Sequence, residues 1–322
     1  MGDTEQPELA DQWSDRVDGI LGGDLVVVFG YVTPRGGVVP IPVTMLGMRD
    51  RERGTVTGST SFGFWKKLTR IERNPRVAVL YYIRRHGYSD KPGQLLVQGD
   101  ASFPEEADRA FLKAVEVQAP PFMGPLKTGR IWNRLAHEYY EMRVPLTVAV
   151  RGLCDLTAEG GPLARRLGDG PPPQEEPAGG VAPRTRLNAA AKQAARIGNT
   201  VLGFVGEDGY PVIVPVSVED VGESDLSLTA AVKLPQGGRR AGLLSHSFRP
   251  LIVRQAQRLH TGWLSVSGDD ISYAPHTSSG YSVPGGTRAL TFIASLLAKR
   301  GVRSGRRLGV IDGERWVGSR SS

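Results

Sequence analysis

Hydroxyl and basic side chains lie together where a predicted strand, residues 55–60, is followed by a predicted helix, residues 63–73. Ser61, Lys66 and Lys67 fall at the start of that helix, where unpaired backbone N–H groups favour a bound anion. Side chains of these types can neutralise a phosphate. The alternative is that the two lysines belong to the solvated face of a helix.

A second basic segment, residues 236–246, contains two glycines followed by Arg239 and Arg240. Glycines let the backbone approach an anion closely, and guanidinium groups bind phosphate with two parallel hydrogen bonds. This segment is a second candidate phosphate site. A turn with a basic cap explains the same residues equally well.

The formal net charge of +7 is concentrated at the C-terminal end. From Lys299 onward there are seven basic residues against two acidic ones. A solvated or partly disordered tail is the expected outcome, so nucleic acid is not expected as a partner.

The single cysteine, Cys154, cannot form an internal disulfide, and the five scattered histidines show no local metal-binding spacing. We therefore predict no metal site.

The N-terminus is polar and acidic, unlike a secretory signal, and the apolar runs are shorter than a membrane span. These features predict a cytoplasmic protein that does not contact a membrane. Hydrophobic residues make up 40% of the chain, which is typical of a folded globular protein.

The chain divides near its middle, because residues 157–186 are rich in proline and glycine and predict a linker. The two halves share a hairpin pattern, since Phe29-Gly30-Tyr31-Val32 recurs as Leu202-Gly203-Phe204-Val205 at one constant offset. The same offset aligns Lys67 with Arg240 in the sequence. Short strands with turn signals and only small helices predict a closed or partly closed barrel in each half.

The predicted organisation is thus mainly β, with two tandem split β-barrel domains. Helices are expected at residues 104–117, 130–141 and 287–299. The predicted segments are an N-terminal segment (1–19), the first split barrel (20–156), the linker (157–186), a second barrel-like domain with a C-terminal helix (187–300) and a basic tail (301–322).

Three motifs resemble the pyridoxamine 5′-phosphate oxidase-like split-barrel family. They are Gly54-Thr-Val-Thr-Gly-Ser-Thr-Ser61, then Lys66-Lys67-Leu68-Thr69-Arg70-Ile71-Glu72-Arg73-Asn74-Pro75-Arg76-Val77, and finally Val97-Gln98-Gly99-Asp100-Ala101. The resemblance covers residues 24–103 and extends more weakly to the second half. It implies that the protein binds FMN, or alternatively the deazaflavin F420 or haem, in a groove between two barrels. The cofactor-binding residues it indicates are Thr60, Ser61, Lys66, Lys67, Gln98, Arg239 and Arg240.

The resemblance further implies a flavin-dependent oxidoreductase that acts on a small-molecule substrate. The tandem barrels then look like the family's dimer fused into one chain, so either a monomeric pseudo-dimer or a homodimer is expected. No catalytic acid or base is evident, because the flavin itself performs the redox chemistry. The alternative is a haem- or ligand-binding protein without turnover, in which His260 or His276 reaches the groove.

Overall fold

The computed structural model describes residues 9–83, 85–124, 141–158, 170–283 and 285–318. The fold is mainly β, as predicted, with two large antiparallel sheets and small helices. None of the helices in the described ranges combines the length and apolar character needed to span a bilayer.

The first sheet has seven antiparallel strands in the order β2-β1-β5-β6-β7-β4-β3. Its strands are β1 (Val27–Val32), β2 (Val38–Val43), β3 (Arg49–Asp50), β4 (Thr55–Ser61), β5 (Arg76–Tyr81), β6 (Leu95–Ser102) and β7 (Arg143–Asp155). β4 lies next to β7, which places the end of β4 beside the start of β7.

Successive side chains of the central strands enter two different cores, because side chains alternate between the faces of a strand. In β5, Val77 and Val79 contact the core beneath helix α2 (Asp15–Gly23), whereas Ala78 and Leu80 contact the core shared with the second sheet. Both faces are therefore covered, which explains the continuous apolar runs in the sequence.

The second sheet is a closed antiparallel barrel in the order β10-β13-β12-β11-β8-β9. Its strands are β8 (Asn199–Val205), β9 (Pro211–Val221), β10 (Leu226–Ala230), β11 (Gly237–Arg249), β12 (Val253–Ser267) and β13 (Asp270–Ser282). The ends of β12 and β13 are polar and carry no apolar alternation, so local periodicity does not reveal them as strand.

The two predicted hairpins pair in the same register. Gly30 lies opposite Pro40 in β1 and β2, and Gly203 lies opposite Ile213 in β8 and β9. A Cβ on Gly30 would lie 2.7 Å from Ile213 Cδ1, so this glycine permits the close approach of the sheet to the barrel.

Beyond the hairpins the two halves differ. Residues 65–73 form a helix, whereas the segment at the equivalent offset lies within β11. The turn with a basic cap, one of the two interpretations offered for residues 236–246, is therefore not formed there. Long-range pairing with β8 and β12 holds these residues in an extended ladder, and such pairing is not visible in local sequence.

The helices are α1 (Leu9–Gln12), α2, α3 (Trp65–Arg73), α4 (Arg109–Met123), α5 (Leu187–Ile197) and α6 (Thr287–Arg307). A short 3-10 turn, Phe62–Phe64, precedes α3. α4 begins later than predicted because Asp108 caps it by accepting from Ala110 N. The helix predicted at residues 130–141 lies almost wholly outside the described residues, as does part of the linker, residues 159–169.

The basic tail is not a solvated extension over its described part. α6 continues to Arg307, and β14 (Ile311–Asp312) pairs with β15 (Arg315–Trp316). The Trp316 ring is 3% exposed and stacks on Phe62 with ring centroids 5.9 Å apart. One buried aromatic thus anchors the tail against the first sheet, an effect that net charge does not reveal.

Candidate ligand-binding site

A cavity of about 690 Å³ lies where the first sheet, the barrel and helix α6 meet. Strands β2 and β4 and the start of α3 form one wall, β12 and β13 form another, and α6 closes a third side. The volume falls in the range of small-molecule and cofactor sites. The cavity therefore lies between the first sheet and the barrel.

The charge of the cavity has one sign. Four cationic residues line it, and no aspartate or glutamate is present among its described lining residues. The cations are Lys66, Lys67, Arg143 and Arg300. Lys67 is buried and Arg143 is half-buried, whereas Lys66 and Arg300 are exposed. Because solvent screens exposed charges, Lys67 and Arg143 dominate the attraction for an anion.

Lys67 is 8% exposed and has no acidic partner in the described part of the chain. Its Nζ atom lies 6.0 Å from the centre of the Phe29 ring and 5.9 Å from that of Phe64. Burial, followed by the charge of Arg143, lowers the pKa of the Lys67 ammonium to about 7.

Arg143 and the hydroxyl residues of β4 are brought together by strand pairing. Ser61 lies opposite Arg143 in the β4–β7 register, and Arg143 Nε donates to Ser59 Oγ at 2.6 Å. Thr60 lines the cavity and is 2% exposed, and its Oγ1 has no hydrogen-bond partner among the described residues. A buried hydroxyl without a partner is costly, so a ligand group that bonds Thr60 is the simplest explanation.

Helix α6 reaches the cavity through a crossing of two glycines. A Cβ on Gly301 would lie 1.8 Å from Gly63 O, and one on Gly63 would lie 2.6 Å from Ala298 O. Only glycine at both positions lets the helix lie directly on the 3-10 turn. This contact places Arg300 and Ser304 in the cavity lining.

The barrel contributes amides and an aromatic ring. Gln255 and Gln257 from β12 and Tyr281 from β13 line the cavity. Tyr281 Oη donates to Gln255 Oε1 at 3.2 Å. Tyr31 and Trp65 line the opposite side. The cavity thus combines cationic groups with aromatic and amide groups, a set that suits a planar ring bearing a phosphate.

Three of the sequence-predicted site residues, Thr60, Lys66 and Lys67, line the cavity. Ser61 and Gln98 are not among its lining residues. Ser61 Oγ accepts from Gly63 N and so caps the 3-10 turn. Gln98 Nε2 donates to Pro211 O and so connects the sheet to the barrel.

Arg239 and Arg240 lie in β11 and are also absent from the cavity lining. The Arg239 guanidinium is 1% exposed and donates to the carbonyl oxygens of Pro171, Pro235 and Gln236. The Arg240 guanidinium lies 5.9 Å from the centre of the Trp263 ring. Both side chains thus have contacts within the barrel and its linker.

The two histidines considered as haem ligands also lie outside the cavity lining. His260 Nδ1 lies 3.2 Å from Thr277 O, and His276 Nε2 lies 3.2 Å from Val181 O. No histidine is among the described residues that line the cavity.

The sequence did not reveal that Arg143 and Arg300 belong to the site, nor that β12 and β13 form one of its walls. Arg143 is distant in sequence from Lys67, and only β4–β7 pairing brings it near. For α6 a signal was available, because Gly301 and Gly305 lie four residues apart and mark one face of a helix that can approach another backbone closely.

No protein-family model matches this chain, and no curated protein matches its sequence. Solved structures do align with it. A protein of unknown function from Agrobacterium tumefaciens is 14% identical, covers 93% of this chain and 98% of its own, and has a TM-score of 0.31. An F420 reductase is 17% identical and covers 42% of this chain and 94% of its own, with a TM-score of 0.32.

A putative pyridoxamine 5′-phosphate oxidase from Listeria innocua is 18% identical and covers 47% of this chain and all of its own, with a TM-score of 0.29. The chain is thus similar to split-barrel proteins of the family that its sequence pattern resembles.

Proposed function

We infer that the cavity binds a phosphorylated flavin, FMN or alternatively F420, and that the protein is a flavin-dependent oxidoreductase. The observation that carries this proposal is the group of four cations without a carboxylate among the described lining residues. Such a site selects an anion, because its cations gain charge-assisted hydrogen bonds when a phosphate enters.

The residues present fit this cofactor. Lys67 and Arg143 would bind the phosphate, and the unpartnered Thr60 hydroxyl would donate to a phosphate oxygen.

The remainder of the cavity would hold the ring system. A bound flavin supplies two-electron redox chemistry, and the protein binds it and excludes water. Tyr31, Trp65 and Tyr281 offer faces or edges for ring contacts, and Gln255 and Gln257 offer amides for the polar ring atoms. The substrate would then enter on the exposed side of the ring.

The test compares FMN with riboflavin, which has the same ring but no phosphate. We expect FMN to bind more tightly to the wild-type protein, and Lys67→Gln to weaken FMN binding roughly 10- to 100-fold, as loss of a hydrogen bond to a charged group does. Riboflavin affinity should change little. Flavin fluorescence during titration measures both affinities.

Lys192→Gln is the matched control, because Lys192 is exposed and lies on α5, outside the cavity lining. It should bind FMN as the wild-type protein does. Equal affinity for FMN and riboflavin, or unchanged FMN affinity in Lys67→Gln, would overturn the proposed phosphate site. A purified protein without flavin absorbance that also fails to take up FMN or F420 would overturn the flavin assignment as a whole.

A further inference from the structure

Lys67 has the surroundings of a reactive amine as well as those of an anion ligand. Its side chain is almost fully buried and borders a cavity large enough for a small organic molecule. Among the described residues no carboxylate pairs with its nitrogen, and the charge that acts on it is the guanidinium of Arg143. Neutral lysine is a good nucleophile, and apolar surroundings with a neighbouring cation are what favour the neutral form.

The neighbouring groups restrict what would react. Phe29 and Phe64 lie beside the nitrogen, so its immediate surroundings are apolar. Lys66, Arg143 and Arg300 remain to bind an anionic group on the same molecule. A compound with an aldehyde at one end and a phosphate at the other satisfies both parts of the cavity.

We propose that, when the cavity holds no flavin, Lys67 forms an imine with a phosphorylated aldehyde. The amine nitrogen attacks the carbonyl carbon and a C–N bond forms. The carbonyl oxygen then leaves as water, taking both hydrogens of the neutral amine, and a C=N bond remains. No oxidant or reductant is needed, and hydrolysis reverses the step.

The lowered pKa supports this reactivity. A pKa lowered from 10.5 to about 7 makes the neutral amine a substantial fraction at pH 7, whereas an ordinary lysine is neutral in on the order of one molecule in a few thousand. Lys66 and Lys192 are both exposed and provide internal comparisons for reactivity within the same protein.

The experiment treats the flavin-free full chain at pH 7 with glycolaldehyde phosphate and sodium cyanoborohydride, which reduces an imine to a stable secondary amine. Peptide mass spectrometry then measures modification at each lysine. We expect Lys67 to be modified at least about tenfold faster than Lys66 and Lys192. Glycolaldehyde, which lacks the phosphate, should modify Lys67 at least about tenfold more slowly.

Inorganic phosphate should slow the reaction at Lys67 and leave Lys192 unaffected. Lys67→Arg should abolish the fast phase, and circular dichroism would verify that this variant is folded. Modification of Lys67 no faster than that of Lys192, or equal rates with both aldehydes, would overturn the proposal.

Adding FMN separates this inference from the proposed function. Protection of Lys67 by FMN supports both. Fast trapping that FMN does not prevent, together with no FMN binding, supports the imine and refutes the flavin assignment. FMN binding without any fast trapping refutes the imine alone.

Discussion

Replacing Gly301 with alanine should separate helix α6 from the 3-10 turn and disturb the cavity. In an unobstructed helix this change stabilises a protein by up to about 1 kcal/mol, because glycine is a poor helix former. Here the new Cβ would lie 1.8 Å from Gly63 O and 2.8 Å from Gly63 C, so the backbone must move. We expect a net destabilisation of about 1–3 kcal/mol, the usual cost of overpacking.

Gly305→Ala is the matched control on the same face of α6. Its Cβ would lie 2.6 Å from Ile311 Cδ1, the far end of a flexible side chain that can move aside. We expect its stability to stay within about 1 kcal/mol of the wild-type value. The free energy of unfolding in urea, at unchanged m-value, measures both variants.

The same pair of variants tests the link between the crossing and the cavity. Gly301→Ala should also weaken FMN binding, because Arg300 and Ser304 line the cavity from α6, whereas Gly305→Ala should retain it. A Gly301→Ala protein that is as stable as the wild-type protein and binds FMN equally well would refute the reasoning.

Two further predictions concern stability. The pKa of Lys67 is about 7 in the folded chain and close to 10.5 in the unfolded chain, so the unfolded chain binds more protons between these values and stability rises with pH across that window. Lys67→Met should therefore stabilise the flavin-free protein, most strongly at pH 7 and below. A lower free energy of unfolding in urea at pH 6 than that of the wild-type protein would contradict this prediction. Trp316→Ala should destabilise the folded protein by about 3–5 kcal/mol, because it removes a buried ring that packs against Phe62 and Phe103. Urea unfolding measures this loss. A change below about 1 kcal/mol would show that Trp316 does not anchor the tail.

Part of the candidate site could be predicted from the sequence. Thr60, Lys66 and Lys67 lie within a short stretch, so their proximity follows from one strand and one helix. The local pattern also predicted the hairpins correctly, because their registers depend on turns of a few residues.

The constant offset between the halves aligned Lys67 with Arg240, but the two residues do not occupy equivalent positions in the structure. The offset holds within the hairpins, but beyond them the first half forms a helix and the second half a strand. Secondary structure in that region depends on partners far away in the chain, which here are β8 and β12.

The sequence by itself determined a mainly β protein with two matching hairpins and a basic stretch at the start of a helix, since each depends on local periodicity, turns and residue type. Only the tertiary structure decided that Arg143 and Arg300 join Lys67, that Arg239 is held by carbonyl groups, and that the basic tail folds onto the first sheet. These features depend on strand order and on one close helix crossing, which are set by packing between distant segments and leave no local pattern.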